Sequence, residues 1–151
     1  MTEKQTKDTI KVKDLTQLTI TAYGREEKLI PKLFFCSVPD FMGEKHNNIG
    51  IRLLYEGKYG LETFANLTKN FGEYISMKFC AYVDTNNCQW ANQLLEQGIA
   101  EDTGFTKQSG FCTYPLWLFN EEFLKAVDED IYKRYLEEYD KYMADEDPLL
   151  V

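Results

Sequence analysis

The chain holds a single histidine, His46, and no run of apolar residues close to the roughly 20 needed to cross a bilayer as a helix. One imidazole gives little support to constellations built on several histidines. Lys and Arg number 17 against 25 Asp and Glu, so the cationic surplus that phosphate binding needs is missing and direct nucleic-acid binding is not expected. The four cysteines, at 36, 80, 88 and 112, contain no Cys-x-x-Cys pair, which excludes zinc-ribbon and thioredoxin spacing. Gly57, Gly60, Gly72, Gly98, Gly104 and Gly110 stand singly, so no phosphate-cradling loop is present. Met1 to Asp8 alternates charged and polar residues without the apolar stretch of a signal peptide. A cytoplasmic protein with no membrane partner is the expectation. There disulfides would not form, and the sequon Asn66-Leu67-Thr68 would be inert.

What is present is enough for one core. The 151 residues are 44% hydrophobic and 15% aromatic, which suits a single folded domain over residues 1–151 rather than a disordered polymer. Residues 1–14 are expected to be flexible or loosely attached, and 144–151 to form an acidic tail. The formal charge of -8 is uneven: from Glu121 to Val151 eleven acids face four bases, a balance of -7, while the first 120 residues carry -1.

The body reads as strands. Leu18, Ile20 and Ala22 alternate with Thr19, Thr21 and Tyr23, and a second strand runs from Lys32 to Val38, opened by Pro31 and closed by Pro39-Asp40. After a polar loop from Met42 to Asn48, Ile49–Tyr55 and Tyr59–Leu67 flank Glu56-Gly57-Lys58 as a hairpin. Tyr74–Val83 alternates Ile75, Met77, Phe79 and Ala81 with Ser76, Lys78, Cys80 and Tyr82, which predicts another strand. Asp84-Thr85-Asn86-Asn87 offers caps for a short helix over Cys88–Gln97 that stops at Gly98. Ser109–Phe119 is extended and aromatic. These short connections predict an α+β fold: a mostly antiparallel sheet of about five or six strands, one short helix and a long acidic C-terminal helix.

That last helix starts at Asn120 with Glu121 and Glu122 at its positive end. Leu124, Val127, Ile131, Tyr135, Tyr139 and Tyr142 recur every three or four residues. The stripe turns from aliphatic to tyrosine. The expectation is a first half buried on the sheet and a second half projecting to solvent or a partner. Tyr132, Tyr135, Glu137, Glu138, Tyr139, Asp140, Tyr142 and Asp145 are the candidate partner-binding residues.

Competing chemistry is thinner. Zinc would need Cys80, Cys88, Cys112 and His46 to meet from separate loops, whereas Cys36 and Cys80 read as small buried residues, so no metal or other cofactor is expected. A thiol nucleophile would need His46 beside a cysteine, with Cys112 the best placed in sequence. Two loops combine polar turn residues with aromatics: Asp84, Thr85, Asn86 and Asn87 in the first, and Ser109, Gly110 and Tyr114 in the second.

The stretches VDTNNC and SGFCTYPLWLFN, separated by a short helix and a TG, resemble a family of small proteins of unknown function found on bacterial conjugative elements and phages. The resemblance covers roughly residues 48–123. It implies a mobile-element setting and supplies no catalytic residues. With it, the sequence suggests a non-enzymatic acidic protein that binds a bacterial protein partner, most concretely an inhibitor of a nucleic-acid-targeting defence complex of anti-CRISPR or anti-restriction type. The alternatives are a small zinc-binding or thiol-dependent enzyme and an accessory regulator of conjugative transfer.

Overall fold

The computed structural model describes residues 15–146 and opens with the strand that the alternation predicts. On β1 (Leu18–Ala22), Leu18, Ile20 and Ala22 are buried and Thr19 and Thr21 exposed. It pairs with β2 (Arg25–Pro39), and β3 (Lys45–Gly57) and β4 (Gly60–Asn66) complete an antiparallel sheet in chain order. β2 is longer than predicted because Arg25-Glu26-Glu27-Lys28 forms a charged hairpin arm without apolar alternation. Pro31 therefore lies inside the strand, opposite Leu53, where the β1 ladder has ended and the β3 ladder begins.

The predicted polar loop over Met42–Asn48 is shorter than expected, since β3 already starts at Lys45 and pairs His46 with Val38. Asn48 shows why polar residues suit this strand. It is buried, its Nδ2 donates to the Glu73 carbonyl at 2.8 Å, and its Oδ1 accepts from the Ile75 amide at 2.9 Å. A neighbouring segment is thus hooked onto β3 by one side chain.

The single predicted sheet is in fact two. At Leu67 the chain passes from one to the other: its amide donates to the Ile51 carbonyl at 3.0 Å, and its carbonyl accepts from the Asp84 amide at 2.9 Å. The second antiparallel sheet has the order β5 (Thr68–Lys69), β6 (Cys80–Val83), β8 (Cys112–Phe119), β7 (Ala100–Ser109). Of the predicted strand Tyr74–Val83, only the last four residues are strand. Residues 73–79 run irregularly because side chains of other elements satisfy their backbone, and Phe79 adopts a positive φ of 60°. β7 was hidden by its composition, since Glu101, Asp102, Gly104, Phe105 and Thr106 are all exposed on an edge strand.

Between the sheets, Leu18, Leu29, Ile51 and Leu53 meet Ala81, Val83, Trp117 and Phe119, and Trp90, Leu94, Phe123 and Leu124 close the ends. Truncating one such leucine to alanine costs about 2–5 kcal/mol. The predicted helix Cys88–Gln97 reduces to α1 (Asn92–Glu96), preceded by turns such as Ala91 amide to Cys88 carbonyl, 3.0 Å. Gln93 uses its side-chain amide as a strand substitute: Oε1 accepts from Thr21 N and Nε2 donates to Thr21 O, both at 2.8 Å. The free edge of β1 is covered in this way.

The C-terminal helix is also two. α2 (Glu121–Val127) starts as predicted, with Asn120 Oδ1 accepting from the Glu122 and Phe123 amides. It ends at Asp128, which is extended at φ -156°, ψ 95°, and whose Oδ1 accepts from the Ile131 amide at 3.1 Å to start α3 (Glu129–Glu146). Asp128-Glu129-Asp130 is itself a helix-start signal, overridden in the sequence reading by the unbroken apolar stripe. The expectations for residues 1–14 and for the tail from 147 onward lie outside the described residues; 144–146 continue α3.

Candidate interaction face and histidine cluster

α3 is fixed to the body along its tyrosine side. Tyr132 stacks on Phe79 with ring centroids 5.6 Å apart and donates its hydroxyl to Glu121 at 2.9 Å. Tyr135 is only 3% exposed, and its hydroxyl accepts the Phe79 amide at 3.0 Å. Tyr139 donates to the Ser76 carbonyl at 2.6 Å. Tyr142 meets the rings of His46 and Tyr74 at 4.7 and 4.8 Å. The stripe that was expected to project toward a partner is turned inward onto residues 73–79. Two hydroxyls, of Tyr135 and Tyr139, and the tyrosine rings thereby seat one helix on a segment that has no ladder of its own.

Burial has electrostatic consequences. It pushes the Tyr135 hydroxyl well above its ordinary range, only partly offset by the Phe79 amide, and it raises Tyr74 and Tyr139 likewise.

The described carboxylates of α3 are exposed, two of them at the margin of this contact. Glu129, Asp130, Glu137, Glu138 and Asp140 are all exposed. Lys133 pairs with Glu129 at 2.8 Å, Arg134 with Asp130 at 3.4 Å and Lys78 with Asp140 at 3.7 Å, while Asn47 donates to Glu138 at 3.2 Å. Glu137 faces solvent. The side chain of Asp145 lies outside the described residues.

At the carboxyl end of α3 stands the β2–β3 turn. Asp40 Oδ1 accepts the amides of Met42 at 2.8 Å and Glu44 at 2.9 Å, and Oδ2 meets His46 Nε2 at 2.7 Å. Burial alone would raise the Asp40 carboxyl, but His46 and the two amides hold it below its usual value. Glu44 completes a group in which one ligand atom from each of Asp40, Glu44 and His46 lies within 4.8 Å of the others. Phe41 and Met42, 96% and 75% exposed, cap this turn. Sequence reasoning singled out His46 but missed Asp40 and Glu44. The signal was there: an Asp two and four residues before the turn amides it accepts, with the imidazole six residues on.

The cysteines do not join His46. Among the described residues, Asp40, Glu44 and His46 are the one group of three or more such side chains that gathers potential metal ligands. Cys88 instead donates to the Asn66 carbonyl, 3.9 Å away. Burial pushes the Cys80 and Cys88 thiols up to about 11, with Asp84 adding to the rise at Cys88, and Cys36 is raised by burial too. Cys112 sits opposite Ser109 beside the turn of the β7–β8 hairpin.

The two hallmark loops serve the fold. Asp84 accepts the amide and the side-chain Nδ2 of Asn87, at 3.3 and 2.8 Å, and Asn86 reaches across to the Thr113 carbonyl at 3.2 Å, tying the first loop to β8. Thr85 N closes on the Val83 carbonyl at 2.9 Å. Ser109 and Gly110 form the β7–β8 tip, with Gly110 at φ 60° and Phe111 fully exposed beside it. Tyr114 packs edge-on against Phe71 at 5.0 Å. Phe71, Tyr82, Met77 and Leu116 then line a cleft of about 220 Å³, bordered by the Lys107–Glu73 ion pair.

Residues 37–140 match the profile of a domain of unknown function, DUF4313. The chain belongs to the DUF4313 family. No curated protein and no solved structure matches it. The DUF4313 region begins at Ser37 near the end of β2 and runs to Asp140 in α3, so it takes in the histidine turn, both hallmark loops and the tyrosine contacts as far as Tyr139. Only β1 and most of β2 precede it among the described strands. No helix among the described residues is long and apolar enough to cross a membrane.

Proposed function

We propose that this DUF4313 protein is a non-enzymatic interaction protein whose working surface is the outer face of α3, and that its partner is a basic protein groove. The observation that carries the reading is the division of α3: tyrosines anchor it to the body, Glu129, Asp130 and Glu137 are exposed away from that contact, and Glu138 and Asp140 are exposed at its margin, touching Asn47 and Lys78. A flexible acidic segment would lose much conformational entropy on docking. A helix already seated loses little and presents its charges at fixed spacing.

The ion pairs on that face do not tie up its acids. Exposed pairs of this kind contribute about 0–1 kcal/mol each, so a groove rich in Lys and Arg can take over the carboxylates at small cost. Phe41 and Met42, beside the His46 turn that touches Tyr142, add exposed apolar area where α3 ends. Grooves that bind nucleic acid are the common protein surfaces with such positive potential. Together with the resemblance to small proteins of conjugative elements and phages, this favours an inhibitor of a cytoplasmic nucleic-acid-targeting complex, of anti-CRISPR or anti-restriction type, over a regulator of conjugative transfer.

The test is affinity capture from a bacterial lysate, followed by challenge of the captured complex with duplex DNA and with RNA. A nucleic-acid-binding partner that either polymer displaces supports the reading. Retention of the partner against excess of both, or capture of transfer machinery without a nucleic-acid groove, contradicts it.

A further inference from the structure

We propose that Asp40, Glu44 and His46 form a binding site for one divalent transition-metal ion of the zinc class. Three observations meet here. First, the donor atoms are already gathered: the imidazole Nε2 lies 2.7 Å from Asp40 Oδ2, and one atom of each of the three residues falls within 4.8 Å of the others. A tetrahedral zinc ion with bonds of about 2.0–2.1 Å needs donors roughly 3.3 Å apart, a value between those two separations. The Asp40–His46 contact opens by about half an ångström to admit the ion.

Second, the charges are arranged as a cation would require. Two carboxylates converge on one imidazole, and the Glu44 carboxylate has no hydrogen bond or ion pair among the described residues. Left to themselves, two like charges at this range repel. The nitrogen donor separates the set from an ordinary patch of surface acids and selects its ion: one imidazole with two carboxylates suits zinc or a similar transition ion, whereas calcium and magnesium favour oxygen-only shells.

Third, the ligands are held from behind. Asp40 Oδ1 is fixed by the Met42 and Glu44 amides, so Oδ2 is the atom left to face His46. The turn closes further through Asp40 N to the Glu44 carbonyl at 2.7 Å. The His46 ring is flanked by Tyr74 at 4.9 Å and Tyr142 at 4.7 Å. Oriented ligands of this kind bind metal more tightly than free side chains, because less order has to be created on binding. The fourth position of the ion is open to water or to a donor from a partner. An ion there would link the β2–β3 turn through His46 to the end of α3.

The experiment is titration of chelator-treated full-length protein with Zn²⁺ by calorimetry in the presence of excess Mg²⁺, with the Co²⁺ absorption spectrum as a second readout. The expected result is one Zn²⁺ per chain that Mg²⁺ does not displace, weakened about tenfold or more in Glu44→Gln. The Co²⁺ complex should show d–d bands without thiolate charge transfer. Glu44→Gln is the clean variant because the side chain makes no contact that the turn depends on, and circular dichroism confirms its fold. Absence of stoichiometric binding, equal binding by Glu44→Gln, or a thiolate charge-transfer band pointing to the cysteines would each overturn the proposal.

Discussion

Tyr135 carries two duties that its ring alone could not. Its hydroxyl satisfies the Phe79 amide, which the positive φ of Phe79 keeps out of any ladder, and its ring fills the space beneath α3. Tyr135→Phe keeps the ring and leaves a buried amide unpaired, so it should lower the unfolding free energy by about 1–3 kcal/mol in urea denaturation. The hydroxyls also set the alkaline limit. In the folded chain Tyr74, Tyr135 and Tyr139 all titrate above the ordinary tyrosine value. A raised folded pKa means stability that is complete below the unfolded value of about 10 and is lost as pH climbs past it. Stability should therefore be level up to about pH 9 and fall above pH 10, less steeply in Tyr135→Phe. Tyrosinate absorbance should show part of the tyrosine complement ionising only as the protein unfolds.

Among the elements, the break between α2 and α3 is the one with the smallest local cause. Asp128 leaves the helical region and lends a carboxylate oxygen to the Ile131 amide. Asp128→Ala should cost about 1 kcal/mol, read as a lower denaturation midpoint, while Asp130→Ala, exposed and paired only with Arg134, should cost less. The same break marks where the sequence was legible and where it was not. β1 was readable because one face is buried and the other wet, which writes burial directly as alternation, and the β3–β4 hairpin was readable from the short Gly-containing connection that joins it. Residues 74–79 alternate just as well but are not strand, since the partners that claim their backbone, Asn48, Tyr135 and Tyr139, are remote in sequence. β7 failed the opposite way: an exposed edge strand writes no apolar period. The tyrosine stripe was found, but its direction was not, because periodicity marks a face without saying what covers it. The histidine turn was half found, for a related reason: His46 is visible as a residue type, while its meeting with Asp40 and Glu44 depends on β3 starting four residues earlier than the polar composition suggested.

On the scale of the whole molecule, a charge of -8 resolves into a nearly neutral body and an acidic segment, of which α3 carries seven acids against three bases. Folding adds what the count lacks. The two sheets and the 73–79 segment form a platform, and the acidic helix is fixed to it with Glu129, Asp130, Glu137, Glu138 and Asp140 exposed. If that face is the working surface, binding to a target should weaken as salt rises, because the attraction is screened over about 8 Å at physiological ionic strength. The most direct measurement compares the affinity of the wild-type protein and a Glu137→Gln, Glu138→Gln, Asp140→Asn variant for the captured target by calorimetry at physiological salt. The account predicts an intact fold and binding at least about tenfold weaker in the variant, since loss of several interfacial charges removes more than the 1.4 kcal/mol that one decade represents. Equal affinities for the two proteins would contradict it.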